Sequence, residues 1–238
     1  MNKEFTKLFS YTEKLRSRYI NTLNAFNVYD SIGELTASNI IGEKKAKNNV
    51  KTLGSFRYFF IITKESLRCY FLIELAKFFD TSTRSLTVYE VLKYAEKNID
   101  KFSKKDFLEY HKGREILPEL FVDYKQLVIE DLEKIKEKLN KNKIVIENLK
   151  KYRNQYLAHD DIKKIKVKIT IAEIEKLLQI IKEIISLLYS RLEFSVNSYV
   201  NFEESSREDT KRLLEYLQKF EEYKERKLLF PAGEKFTG

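Results

Sequence analysis

The chain has 238 residues and a net charge of +9, from 45 Lys and Arg against 36 Asp and Glu. That length can bury a sizeable core without metal or disulfide staples, and the one cysteine, Cys69, cannot form a disulfide within the chain, which suits a reducing cytosol. Uninterrupted apolar runs stop at five residues, as in Tyr58 to Ile62, where a membrane-spanning helix needs about 20. With a charged, amphipathic N-terminus in place of a signal peptide, a soluble cytoplasmic protein with no membrane partner is expected.

Breakers are rare: the only prolines are Pro118 and Pro231, and neither Gly nor Pro occurs between Ser55 and Lys112. Long breaker-free stretches rich in Leu, Ile, Lys and Glu predict helices. The first helix is expected over roughly 3 to 28, with Phe5, Leu8, Phe9, Leu15, Tyr19, Leu23 and Phe26 on its apolar face. A loop with Gly33 and Gly42 comes next, holding a short helix near 38 to 50. The stretch from about 55 to 79 is apolar nearly all round, which predicts a central, buried helix with Cys69 as a small core residue. A shorter helix fits 86 to 98. Pro118 suits the first turn of a helix running to about 140; Asn140 and Asn142 mark a break, and 143 to 159 resumes. "KKIKVKIT" alternates like a strand but has no partner strand in the sequence, so an extended connector is expected. Thr170 and Glu173 form a capping box for a helix whose stripe is Ile174, Leu177, Leu178, Ile181, Ile184, Ile185, Leu188 and Leu192. A last charged helix, roughly 206 to 227, has a thin apolar side, and "LLFPAGEKFTG" reads as a tail.

The expected fold is all-α, an antiparallel helical bundle with additional N- and C-terminal helices. One domain is expected over 1–238, with its core at roughly 55–200 and peripheral helices at 1–50 and 205–230.

Charge is uneven. Lys134 to Lys168 holds 12 basic and 4 acidic residues. Such a segment suits a polyanion, RNA or DNA; its plain alternative is a solvated lysine face. The chain has no Gly-rich phosphate loop, and two His with one Cys do not make a typical zinc site, so no metal and no cofactor is expected. His111, before Gly113, reads as a helix-end or loop histidine. Acidic pairs are plentiful on charged helix faces, and none stands out.

Inside the basic segment lies "YRNQYLAHDD", with Arg153, Asn154 and His159. Phosphodiester cleavage in RNA needs a base for the 2'-OH proton, an acid for the leaving 5' oxygen and positive charge on the phosphate. Histidine suits the proton transfers near neutral pH, and arginine's planar fork suits the phosphate. Asn154 could orient the imidazole or hold a ribose hydroxyl. On an ideal α-helix, six residues turn the chain by about 240°, so Arg153 and His159 do not share a face. Either the helix ends before His159, which the acids Asp160 and Asp161 favour at a helix C-terminus, or two chains supply one site about a two-fold axis. The packing alternative is a buried heptad stripe of Val145, Leu149, Tyr152, Tyr156 and His159, with Arg153 paired to a carboxylate.

"RNQYLAH" resembles the signature of the HEPN superfamily: Arg, usually a polar residue, then His after a gap of four to six. "YRNQYLAHDD" and "YFLIELAKFFDTSTRSLTVYEVL", which contains Asp80, resemble its abortive-infection branch over roughly 55 to 200. The resemblance implies a helical bundle, a homodimer with a composite site, and a metal-independent endoribonuclease acting as a toxin or in anti-phage defence. Its products would be a 2',3'-cyclic phosphate and a 5'-OH. By the motif match Arg153 binds phosphate, His159 is acid or base, and Asn154 supports them; Asp80 matches a recurrent position, and a helix-capping role suits it equally. Lys150, Lys151, Lys163 and Lys164 flank the motif as expected RNA contacts. An antitoxin or regulatory partner is compatible with this reading. The Tyr that often comes after the His in relatives modified by a nucleotidyltransferase antitoxin is replaced by Asp160, Asp161, Ile162 and Lys163, so that form of neutralisation is not expected. The alternative function is a non-catalytic helical module that binds RNA or protein.

Overall fold

The computed structural model describes residues 2–81, 85–113, 124–158, 167–193 and 200–229. Among these the chain is all-α, as expected, with ten α-helices and no strand. They are α1 (Lys3–Glu34), α2 (Ser38–Ile41), α3 (Glu43–Ser55), α4 (Arg57–Phe78), α5 (Val88–Lys97), α6 (Lys104–Tyr110), α7 (Ile129–Lys141), α8 (Lys143–Tyr152), α9 (Ile171–Leu192) and α10 (Val200–Leu229). A π turn, Arg153–Ala158, continues directly from α8. The expectations placed on Pro118, His159, Lys163 and Lys164 concern residues outside the described set.

The chain divides into two compact units, one from Met1–Leu23 and Tyr70–Ser198, the other from Asn24–Cys69 and Tyr199–Gly238. In the first, α9 supplies the densest core: all eight residues of its expected stripe are buried. Its start is fixed locally, because the Thr170 hydroxyl accepts from the Glu173 N–H while Glu173 accepts from the Thr170 N–H. The helix α7 packs against α5 and α9. The last turns of α4 bury Phe71, Leu72, Leu75, Phe78 and Phe79. At the foot of α1, the Phe5 ring lies 6.3 Å from that of Phe107 and 4.9 Å from that of Tyr110. Buried Asp131 on α7 accepts from Arg191 on α9 at 2.9 and 3.2 Å, which satisfies a charge that would be costly alone.

In the second unit α10 packs on α3. Asn49, buried on α3, donates to the Leu35 carbonyl at 2.6 Å and accepts from Gln218 at 2.6 Å. Arg207 on α10 donates to Asp30 and Glu34 on α1, at 2.8 and 3.0 Å.

The elements depart from expectation in four places. The first helix does not stop near 28: it passes through Gly33 to Glu34, because buried Ile32 and Leu35 hold it against a glycine penalty of about 1 kcal/mol. The helix expected to run from Pro118 begins, in the described residues, only at Ile129, with Val128 extended; Tyr124 and Leu127 are held instead by a bond to the Arg191 carbonyl and by burial. The first half of α4 is not a buried helix: Tyr58, Phe59, Ile61 and Ile62 are 81, 61, 53 and 66 % exposed. Cys69 is accordingly half-buried rather than core, and burial, with the Glu65 carboxylate, pushes its thiol pKa up.

Candidate functional site

Two segments far apart in the sequence form the site. Buried Phe78 and Phe79 lock the end of α4, which leaves Asp80 just beyond the last helical turn. Arg153 opens the π turn after α8, whose buried Ile146 and Leu149 fix the helix. Arg153 Nη1 donates to both carboxylate oxygens of Asp80, at 2.9 and 2.8 Å, and the two side chains are only 19 and 23 % exposed. The carboxylate of the packing alternative is therefore Asp80. A charge-assisted contact of this kind orients the guanidinium as well as neutralising it.

Arg153 Nε donates to the Asn154 side-chain oxygen at 3.0 Å. Two edges of the fork are thus held, and Nη2 has no hydrogen-bond partner among the described residues. Lys150, one turn earlier, is half-buried with Nζ 5.9 Å from the centre of the Tyr89 ring. Burial pushes its pKa below the usual lysine range, Asp80 pulls it back up, and Arg153 pushes it down. Burial likewise raises the Tyr89 phenol. Lys151 is exposed. Asp80, Arg153, Lys150 and Lys151 sum to two positive charges, enough to attract a phosphate while keeping Arg153 in one place.

Arg153 to Ala158 lie on a π turn, where i→i+5 bonding replaces the α pattern; such turns recur at functional sites. Within it the Gln155 side-chain oxygen is buried and has no hydrogen-bond partner among the described residues, a polar atom of the sort that asks for an explanation. Nothing in the sequence pattern marks Gln155. Asp80 was singled out without its present role, since its partner is 73 residues away.

The other candidates have plain uses. His111 caps α6, is buried, and its Nε2 lies 2.9 Å from the Leu192 carbonyl. Among the described residues no group of three or more His, Cys, Asp or Glu is placed to hold a metal ion, and no helix is long and apolar enough to cross a membrane.

A family model of HEPN proteins, described as AbiU2, matches residues 5–213. No curated protein and no solved structure matches the chain.

Proposed function

The chain belongs to the AbiU2 family of HEPN proteins, and on that footing we propose that it is a metal-independent endoribonuclease, a toxin or anti-phage effector of abortive infection. The observation that carries the reading is Arg153, fixed on Asp80 and Asn154 in a cationic setting at the start of the π turn that leads towards His159. A guanidinium held on two edges can present its third to a phosphate without first losing rotamer freedom.

In the proposed reaction a base takes the 2'-OH proton and O2' attacks phosphorus. The P–O5' bond breaks, and an acid protonates the departing 5' oxygen. This leaves a 2',3'-cyclic phosphate and a 5'-OH. Arg153 binds the phosphate oxygens as charge builds, His159 is acid or base, and Asn154 steadies Arg153. Asp80 is a positioning residue, since it acts through Arg153. Lys150, Lys151, Lys163 and Lys164 hold the RNA backbone. Two chains about a two-fold axis would supply two histidines to one cleft, one for each proton transfer.

The test is cleavage of total cellular RNA by the purified chain in EDTA, beside Arg153→Ala and His159→Ala. Cleavage by the wild type is expected, with a loss of about 10²–10³ in rate for Arg153→Ala. Cleavage that persists in His159→Ala would remove His159 from the chemistry. RNA binding with no products from any of the three would favour the second reading, a non-catalytic binding module, which the Asp80–Arg153 pair also permits as a packing contact.

A further inference from the structure

The helix α10 has two faces of opposite character. One packs on α3: Leu214 is buried, Gln218 donates to Asn49, Ser55 to Glu221, and Lys51 to Glu225. On the other side Leu213, Tyr216, Phe220 and Tyr223 are 47, 65, 54 and 56 % exposed. Their spacing is three, four, three, the a and d positions of a heptad seam. A surface helix has no reason to keep this spacing on its solvent side, where scattered apolar residues are the norm. In the same register every g position beside the seam is basic, Arg212, Lys219 and Arg226, with Arg212 paired to Asp209 one turn back, and Lys224 occupies an e position. Lys219 Nζ lies 5.8 Å from the centre of the Tyr216 ring, alongside the seam.

Leu213 also borders an apolar hollow of about 100 Å³ in the same unit, lined by Ile32, Leu35, Leu53, Phe60 and Leu214. That is smaller than the cavities of about 150 Å³ that take up a benzene ring, and it suits one bulky apolar side chain. The hollow lies at the edge of the packed face, since buried Leu214 also lines it, and Leu213 joins it to the seam.

We propose that the exposed face of α10 docks an amphipathic helix of another protein, one whose apolar stripe is flanked by carboxylates. Charge selects this occupant. In an antiparallel pair of two copies g meets g and e meets e, so Arg and Lys would face Arg and Lys; in a parallel pair Lys219 would face Lys224. Like charges across a seam oppose pairing, and a Glu-flanked partner removes the conflict. A single-stranded RNA could also stack on Tyr216 and Phe220 between basic side chains. The heptad spacing and the aliphatic Leu213 favour a helix, since stacking on bases needs neither. The inference concerns the second unit and does not depend on RNA cleavage.

The experiment uses the full chain and two synthetic helical peptides of equal length, both with Leu at a and d. One carries Glu at e and g, the other Lys, and binding is read by fluorescence anisotropy. The Glu peptide should bind about tenfold more tightly at low salt, with the gap closing as salt rises. Phe220→Glu should abolish its binding with the thermal midpoint unchanged. The triple Arg212→Glu, Lys219→Glu, Arg226→Glu should reverse the preference towards the Lys peptide. Equal binding of the two peptides, binding of neither, or no reversal in the triple variant would overturn the proposal. So would self-association of the chain that Phe220→Glu disperses, which would assign the face to a second copy. An oligouridylate bound through Phe220, with the Glu peptide unbound, would assign it to RNA and overturn it equally.

Discussion

In the proposed reaction Asp80 is the side chain whose replacement should separate binding from chemistry. Its carboxylate holds Arg153 Nη1 but also places a negative charge beside the proposed phosphate site. Asp80→Asn should therefore bind RNA more tightly, by about two- to tenfold at low salt, and yet cleave it more slowly. Filter binding and product formation on the same substrate would check this; a fall in both together would mean that Asp80 supports the fold alone. Loss of the pair should also cost roughly 1–3 kcal/mol in urea unfolding. Lys150 offers a second measurement. Its pKa lies below the ordinary 10.5, chiefly through burial. As pH rises through that lowered value the folded chain releases its proton first, so the unfolded state binds more protons and stability from this group increases towards pH 10.5. Over the same window the site loses a cation before the exposed lysines do. The salt slope of RNA binding should fall by about one there, and the fall should be absent in Lys150→Met.

At the scale of elements, α9 shows what a local code can specify. Thr170→Ala should cost about 1 kcal/mol through the lost cap, and Ile181→Ala about 2–5 kcal/mol through a core cavity, both read by chemical denaturation. Both the stripe and the capping box were legible in the sequence because their partners are three or four residues apart. The break at Asn142 was legible for the same reason. The burial of α4 was not. Periodicity reports which faces of a helix are apolar, and α4 is apolar nearly all round, but cover depends on how many neighbours arrive. Tyr58→Ser, at a side chain 81 % exposed, should accordingly shift stability by no more than about 0.5 kcal/mol. The site was half legible. Arg153 and Asn154 stood out by motif, whereas the carboxylate that holds Arg153 reaches it from the end of another helix, and no local pattern contains that contact.

Across the whole molecule, the proposed RNA site and the proposed docking face fall to different units. Asp80, Arg153 and Lys150 belong to the first unit, whereas Tyr58, Phe59, Ile61, Ile62 and the seam of α10 belong to the second. The proposed two-fold site makes its own prediction. Arg153→Ala and His159→Ala chains, each inactive alone, should recover part of the cleavage when mixed and allowed to exchange. No recovery after verified exchange would place a complete site within each chain.

The π turn at Arg153–Ala158 bears on how the motif keeps time along the chain. A π turn is a single-residue insertion that a helix absorbs without changing the phase of its flanks. Removing one residue from 155–158 would tighten the turn to α geometry and leave Arg153 on its bearing towards Asp80. Removing one residue from the middle of α8 would instead rotate Arg153 by about 100°. Activity that tolerates the first deletion and not the second would mean that the bearing of the arginine matters more than the count of residues between arginine and histidine.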